Sequence, residues 1–250
     1  MSKTRKDKQG VAMITVAVVI FLSLFATWHI LSASNDMVDQ DTLCRIGKED
    51  PVLKILVDKT DPWDEQGQKR LAMLVRNLKL QLAQHERLSI FILDESGTYT
   101  PSPVFDMCNP GRGDQASRLY QNPGMIQKRF KEQFEAPLDQ VLKTLLMPGS
   151  AQQTPLLETI ASLRSNVARE RIFIFSDMLQ NSSELSFYQQ SKVNINNDPS
   201  GLCNLSSPYT EATVFYMNRP GITISKKQEI RNFWNNCLRK SSASLKWNNL

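Results

Sequence analysis

Two short apolar runs, each ending at an aspartate, constrain the fold of this chain more than any other feature of its sequence. Residues 52–57 form the first run, which is broken only by Lys54 and followed by Asp58. Residues 171–176 form the second, which is followed directly by Asp177. Runs of this length, rich in β-branched and aromatic residues, are typical of strands that are buried on both faces in a parallel sheet. We therefore predict an α/β protein.

Helical patterns separate these runs from further strand-like segments. Apolar residues recur at helical spacing over 64–84, and the apolar run 88–93 completes a strand, helix, strand unit. This order predicts a mostly parallel central sheet with helices on both faces, a Rossmann-like arrangement. The other predicted strands are 104–108, 212–217 and 244–247, and the other predicted helices are 125–146, 154–168 and 225–239, with Pro137 expected to break or kink the first of these.

The amino-terminal part of the chain predicts a membrane anchor. Residues 11–33 contain no charged side chain and are long enough to span about 30 Å of hydrocarbon as a helix. The preceding tail, 1–10, is basic, which favours a cytoplasmic amino terminus. We therefore predict a single-pass inner membrane protein with a stalk over 34–51 and a folded domain over 52–250 that is periplasmic or extracellular. A cleaved signal peptide stays open, because Ser-Ala-Ser follows at 32–34, although signal peptides usually have shorter apolar segments.

The net charge of the chain gives no indication of a nucleic-acid partner. Of the formal charge of +5, the first ten residues supply +3, because four basic residues there outweigh Asp7. The remainder is close to neutral and shows no basic patch, so we expect no binding to nucleic acid.

The cysteines indicate an oxidising compartment. Four are present, all after the predicted anchor, and an even number in an exported domain is compatible with two disulfides. We favour Cys44 with Cys108 and Cys203 with Cys237, because each pair would tie a loop to an element near it in the predicted order. Four buried free thiols are the alternative. The chain has no CxxC motif, so a zinc site of the usual spacing is not expected.

Oxygen-bearing side chains are predicted to meet at one edge of the sheet. Asp58 and Thr60 follow the first strand, and Asp177 follows a later one. Thr154 stands at the start of the helical pattern 154–168, where it would serve as an N-cap. Because ligands bind at the carboxyl ends of parallel strands, and hard divalent cations prefer oxygen, we predict a site for Mg²⁺ or Mn²⁺ formed by these four residues.

The order of these elements resembles a von Willebrand factor A-type domain over residues 52–248. In that family an Asp-x-Ser-x-Ser motif, a Thr and a further Asp from three loops form a metal-ion-dependent adhesion site for Mg²⁺ or Mn²⁺, and the metal accepts a carboxylate from a partner protein. Asp58 matches the motif Asp and Thr60 its first Ser. Thr154 matches the Thr and Asp177 the third-loop Asp.

The second Ser position of that motif is occupied by Pro62, so the resemblance implies a degenerate site. Mg²⁺ keeps several waters and needs only one or two carboxylates, so the loss of one hydroxyl still permits binding. The alternative is that Asp58 and Asp177 only accept backbone hydrogen bonds as loop caps, with Thr154 as a helix cap.

We expect an interaction module and not an enzyme. The sequence contains no Gly-x-Ser-x-Gly elbow and no Gly-rich phosphate loop, and Thr60 replaces the second Asp that a haloacid-dehalogenase-like phosphatase requires. The expected function is a membrane-anchored, extracytoplasmic protein-binding subunit of a bacterial envelope or mobile-element complex, such as conjugation or phage defence, with membrane attachment through 11–33. A purely structural subunit with a dead metal site and a membrane-tethered metal-dependent hydrolase are the alternatives.

Overall fold

A computed structural model of the chain describes residues 3–33, 37–93, 100–117, 121–165, 167–188, 198, 200–204 and 209–249. The chain divides into two compact units, Met1–Val38 and Asp39–Leu250.

The first unit is dominated by helix α1, Lys3–Ala33. Its segment Gly10–Thr27 is long and apolar enough to cross a membrane, a property that an amino-terminal signal sequence shares. The hydroxyl groups of Thr15 and Thr27 each donate to a backbone carbonyl one turn earlier, at 2.9 Å and 2.8 Å. Both hydroxyl groups thus have a hydrogen-bond partner within the helix.

The second unit contains a mixed, mostly parallel sheet of six strands in the order β3-β2-β1-β4-β5-β6. Strand β3 is antiparallel to β2, and the other neighbouring pairs are parallel. Chain order reverses between β1 and β4, which places the crevice that ligands use in such sheets beside these two strands. The strands are β1 Val52–Asp58, β2 Arg87–Leu93, β3 Phe105–Cys108, β4 Glu170–Ser176, β5 Glu211–Tyr216 and β6 Leu245–Asn249.

Helices cover both faces of this sheet, as the sequence predicts. Because alternate residues of a strand face opposite sides, β1 contributes to two separate cores. Leu53 and Ile55 pack into one core with α2 and α4, and Leu56 packs into the other with α5 and α6. The helices are α2 Glu65–Gln81, α3 Pro123–Arg129, α4 Ala136–Leu145, α5 Leu156–Ser162 and α6 Ile224–Ser241.

Two helix predictions need correction. Pro137 does not break the helix predicted over 125–146, since the chain stays helical through it, but a π-helical segment, Phe130–Glu135, separates α3 from α4 directly before the proline. The helix predicted over 154–168 is only Leu156–Ser162. Its N-cap is Pro155, which makes no side-chain cap bond, so Thr154 does not cap the helix.

Both disulfides are present, with the pairing favoured from the sequence. Cys44–Cys108 ties the segment before β1 to the end of β3, and Cys203–Cys237 ties a loop to α6. Residues 39–51, predicted as part of a stalk over 34–51, belong to the second unit. Leu43 is buried there, and Thr42 accepts a backbone hydrogen bond from Cys108 at 2.8 Å.

Candidate functional site

The four residues predicted as a metal site lie at one edge of the sheet. Asp58 is the last residue of β1, and Asp177 directly follows β4, its parallel neighbour. Thr60 lies two residues beyond β1. Thr154 lies in the loop before α5, and its hydroxyl donates to that of Thr60 at 2.8 Å. The structure therefore brings together side chains that are as much as 119 positions apart in the sequence, counting from Asp58 to Asp177.

Backbone contacts hold the Thr154 loop in this position. Thr154 pairs with Asn181 through two backbone bonds of 2.6 Å and 2.9 Å, and Ala151 N–H donates to Thr60 O at 2.8 Å. A Cβ on Gly149 would lie 2.3 Å from Lys59 O, so this close approach of two backbones requires glycine. Thr154 is therefore positioned by the packing of its loop and not by a helix start.

Asp58 is the centre of a buried hydrogen-bond network. Its Oδ1 accepts from the backbone N–H of Thr60 at 3.0 Å and from the hydroxyl of Thr60 at 2.6 Å. Its Oδ2 accepts from the hydroxyl of Ser176 at 2.6 Å. The sequence reasoning missed Ser176, although the neighbouring Asp177 was predicted. As the last residue of β4 beside β1, Ser176 could have been found from strand adjacency.

Asp177 interacts with Arg219, a residue that the sequence reasoning also missed. Its Oδ1 accepts from Leu179 N–H at 3.0 Å, and its Oδ2 accepts from Nη1 of Arg219 at 3.3 Å. The same Nη1 donates to Asp61 and, at 2.6 Å, to the hydroxyl of Tyr188. Arg219 lies just beyond β5, so a basic residue at the carboxyl end of a neighbouring parallel strand was the available signal.

The site contains more negative charge than its surroundings offset. Burial raises the pKa of Asp58, and the hydrogen bonds from Ser176 and Thr60 only oppose this effect. The pKa of Asp177 is raised to about 6, chiefly by burial and next by the charge of Asp58, against the opposing effects of Leu179 N–H and Arg219. Two adjacent carboxyl groups with raised pKa values mean that a cation entering the site would relieve an unfavourable electrostatic energy.

A cleft of about 780 Å³ opens onto this edge. Pro62 and Trp63 form part of its apolar wall, and the indole N–H of Trp63 donates to Asp58 O at 2.7 Å, which fixes the start of the loop. The charged residues that line the cleft are Asp58, Asp61, Asp64, Asp177 and Arg219. Four carboxyl groups and one guanidinium leave the cleft acidic.

The oxygen atoms gathered at this edge are suitable ligands for a hard divalent cation. Two carboxyl groups, from Asp58 and Asp177, lie beside three hydroxyl groups, from Thr60, Thr154 and Ser176. All five side chains offer oxygen, and each hydroxyl can rotate to present a lone pair. Asp58 and Asp177 also cap their own loops, since each accepts a backbone N–H two residues later. Loop capping and cation binding are therefore compatible roles for the same residues.

A second group with possible metal ligands lies elsewhere in the described part of the chain. It comprises Asp198, Cys203 and Cys237, whose ligand atoms lie within 4.8 Å of one another. The two sulfur atoms are joined in a disulfide, so neither is available as a thiolate. Asp198 accepts the backbone N–H of Cys203 at 2.6 Å. This group stabilises a loop.

Comparisons with known proteins give little further information. No protein-family model matches the sequence, and no curated protein matches it. Among solved structures, a point mutant of the PilB minor pilin from Streptococcus sanguinis is similar with a TM-score of 0.39 and 9% sequence identity, over 80% of this chain and 58% of that one. The chain thus spans little more than half the length of that structure. At this level the similarity supports no argument about fold family or function.

Proposed function

We propose that this protein is a membrane-anchored, extracytoplasmic protein-interaction module with a von Willebrand factor A-like domain, which binds a partner protein with the help of a divalent cation. One observation carries the proposal. Asp58, Thr60 and Thr154 form a continuous chain of buried hydrogen bonds at the carboxyl edge of the sheet, and Asp177 lies beside it. The mostly parallel sheet, with helices on both faces, supports the A-type assignment.

The residues that would hold Mg²⁺ or Mn²⁺ are Asp58, Thr60, Thr154 and Asp177. When bound, the metal would supply an open coordination position for an acidic side chain of the partner. The protein's own contribution is to hold these side chains in place. Thr60 and Ser176 donate hydrogen bonds that orient the two oxygens of Asp58.

The anchor and the disulfides support an extracytoplasmic location. The segment Gly10–Thr27 has the length and composition of a membrane span, and the basic residues before it favour a cytoplasmic amino terminus. The two disulfides suit an oxidising compartment such as the periplasm. We therefore propose a single-pass inner membrane protein that serves as a subunit of an envelope or mobile-element complex.

A pull-down from native membranes tests this function. The detergent-solubilised full chain is used as bait in Mg²⁺ or in chelator, and the captured proteins are identified by mass spectrometry. We expect at least one partner to be captured in Mg²⁺ and lost both in chelator and with Asp58→Ala. Asp41→Ala is the matched control, because Asp41 is an exposed aspartate that does not line the cleft. Capture that is unaffected by chelator and by Asp58→Ala would contradict the metal-assisted function.

A second candidate is a structural subunit whose metal site is dead, in which α1 serves assembly. The observation that favours it is Arg219, whose guanidinium already bonds to two carboxyl groups of the edge. For this candidate, substitutions on the apolar surface of α1 should prevent complex assembly, whereas Asp58→Ala should not.

A further inference from the structure

The position of Arg219 suggests how access to the acidic edge is controlled. Its guanidinium bridges Asp61 and Asp177, one residue from the loop after β1 and one from the loop after β4. The Arg219 side chain remains about one-third exposed, whereas that of Asp177 is only 9% exposed. The arginine therefore covers the buried carboxylate from the solvent side, where an ion would enter.

Tyr188 holds Arg219 in this position. The tyrosine hydroxyl accepts from Nη1 at 2.6 Å, and the guanidinium carbon lies 5.6 Å from the ring centroid. A cation over an aromatic face is attracted by the ring quadrupole, so Tyr188 stabilises the arginine without adding negative charge at neutral pH. Partial burial, and after it the nearby carboxylates, raise the pKa of Tyr188 to about 12 against the charge of Arg219, so the phenol stays protonated.

The backbone around Arg219 is restrained, so that only its side chain needs to move. Met217 N–H donates to Ser176 O at 3.0 Å, which extends the pairing of β4 and β5 to the residue two before the arginine. Pro220 follows, and the residue before a proline is restricted to extended conformations. Gly221 then turns the chain with a φ of +84°. These restraints favour release of the guanidinium through a change of its side-chain rotamer.

We propose that Arg219 is an internal counter-cation that closes the acidic edge, and that a divalent cation must displace it from Asp177 to bind. This inference rests on the proposed metal-assisted function and adds its regulation. We call Arg219 and Tyr188 together the latch, because they cover the buried carboxylate of Asp177. The latch keeps Asp61 and Asp177 paired with the guanidinium until metal enters. Occupancy of the site then frees the guanidinium in the cleft.

The latch can be tested by titrating the full chain in detergent with Mn²⁺ alone, using calorimetry on the wild type, Arg219→Gln and Tyr188→Phe. Arg219→Gln should bind Mn²⁺ about tenfold or more tightly than the wild type, because the metal no longer has to break a charge-assisted contact. Tyr188→Phe should also tighten Mn²⁺ binding, because it removes the hydrogen bond that holds Arg219 in place. The factor should be smaller, because every formal charge stays in place. Arg76→Gln, on the exposed surface of α2 and outside the cleft, is the control for charge removal and should match the wild type.

The double variant separates a latch from a simple charge effect. If Tyr188 acts through Arg219, Tyr188→Phe should change the Mn²⁺ affinity only when Arg219 is present. Equal affinities for the wild type and Arg219→Gln would overturn the latch and leave the metal-assisted function intact, as would no effect of Tyr188→Phe in either background. If none of the variants binds Mn²⁺ at millimolar concentration, the proposed function itself fails, and the latch with it.

Discussion

Replacing Asp177 with Asn should stabilise the folded protein at neutral pH. The Asp177 side chain is buried, and burial together with the charge of Asp58 raises its pKa from 3.8 to about 6. That difference between the two pKa values corresponds to a loss of about 3 kcal/mol in the free energy of unfolding at pH 7, at about 1.36 kcal/mol per pKa unit. Asn keeps an oxygen that can accept from Leu179 N–H, so the loop bond of 3.0 Å is retained. The metal-free wild type thus carries a folded-state penalty that the variant lacks.

The pH dependence of this difference follows from the direction of the pKa change. Because the folded pKa of Asp177 lies above the unfolded value, the folded state binds the extra proton between about pH 4 and pH 6, and the wild type loses stability as pH rises through this window. Below the window the carboxyl is protonated in both states and causes no loss. The advantage of Asp177→Asn should therefore grow from near zero at about pH 3.5 to its full size at pH 7.

Thermal unfolding with the disulfides intact and divalent cations removed measures this difference. For a domain of this size, about 3 kcal/mol corresponds to a rise in Tm of roughly 6–12 °C at pH 7. Asp41→Asn, at an exposed position, should leave Tm almost unchanged. A variant that is no more stable than the wild type at pH 7, or equally stabilised at pH 4 and pH 7, would refute the electrostatic reasoning.

Three further predictions concern how the fold supports the site. Replacing both cysteines of Cys203–Cys237, which closes a loop of 34 residues, should lower the free energy of unfolding by about 3–4 kcal/mol in urea titration. Lys54→Met should cost about 3–5 kcal/mol in the same assay, because it leaves Glu170 buried without its ion-pair partner, and Lys54→Met with Glu170→Leu should recover most of this loss. Gly149→Ala should weaken Mn²⁺ binding and lower the free energy of unfolding, because the added Cβ would push the Thr154 loop away from Thr60. Gly124→Ala, at an exposed position of α3 without a close backbone neighbour, should not affect the metal.

The sequence predicts those parts of the fold that depend on local patterns. The runs that became β1 and β4 are mostly apolar, so their parallel-sheet character and the aspartates at their ends were evident without coordinates. The disulfide pairing followed from element order. In contrast, the break expected at Pro137 does not occur, and no local pattern in the sequence indicates the π-helical segment that precedes this proline.

The site residues that were missed depend on long-range contacts. Arg219 reaches Asp61 across 158 positions of the sequence, and Ser176 reaches Asp58 across 118. Such pairs become neighbours only after the strand order is fixed. Thr154 was placed at the site for a different local reason, since the helix it was expected to cap begins two residues later. Its position depends on the backbone pairing with Asn181, which no periodicity in the sequence indicates.

The most direct test of the account is to locate Mn²⁺ by anomalous scattering in crystals of the compact unit Asp39–Leu250 soaked with that ion. The proposed function predicts an anomalous peak bonded to oxygens of Asp58 and Thr60 at the carboxyl edge of the sheet, with Arg219 moved away from Asp177. Absence of a peak at this edge under saturating Mn²⁺, with Arg219 still bridging Asp61 and Asp177, would contradict it.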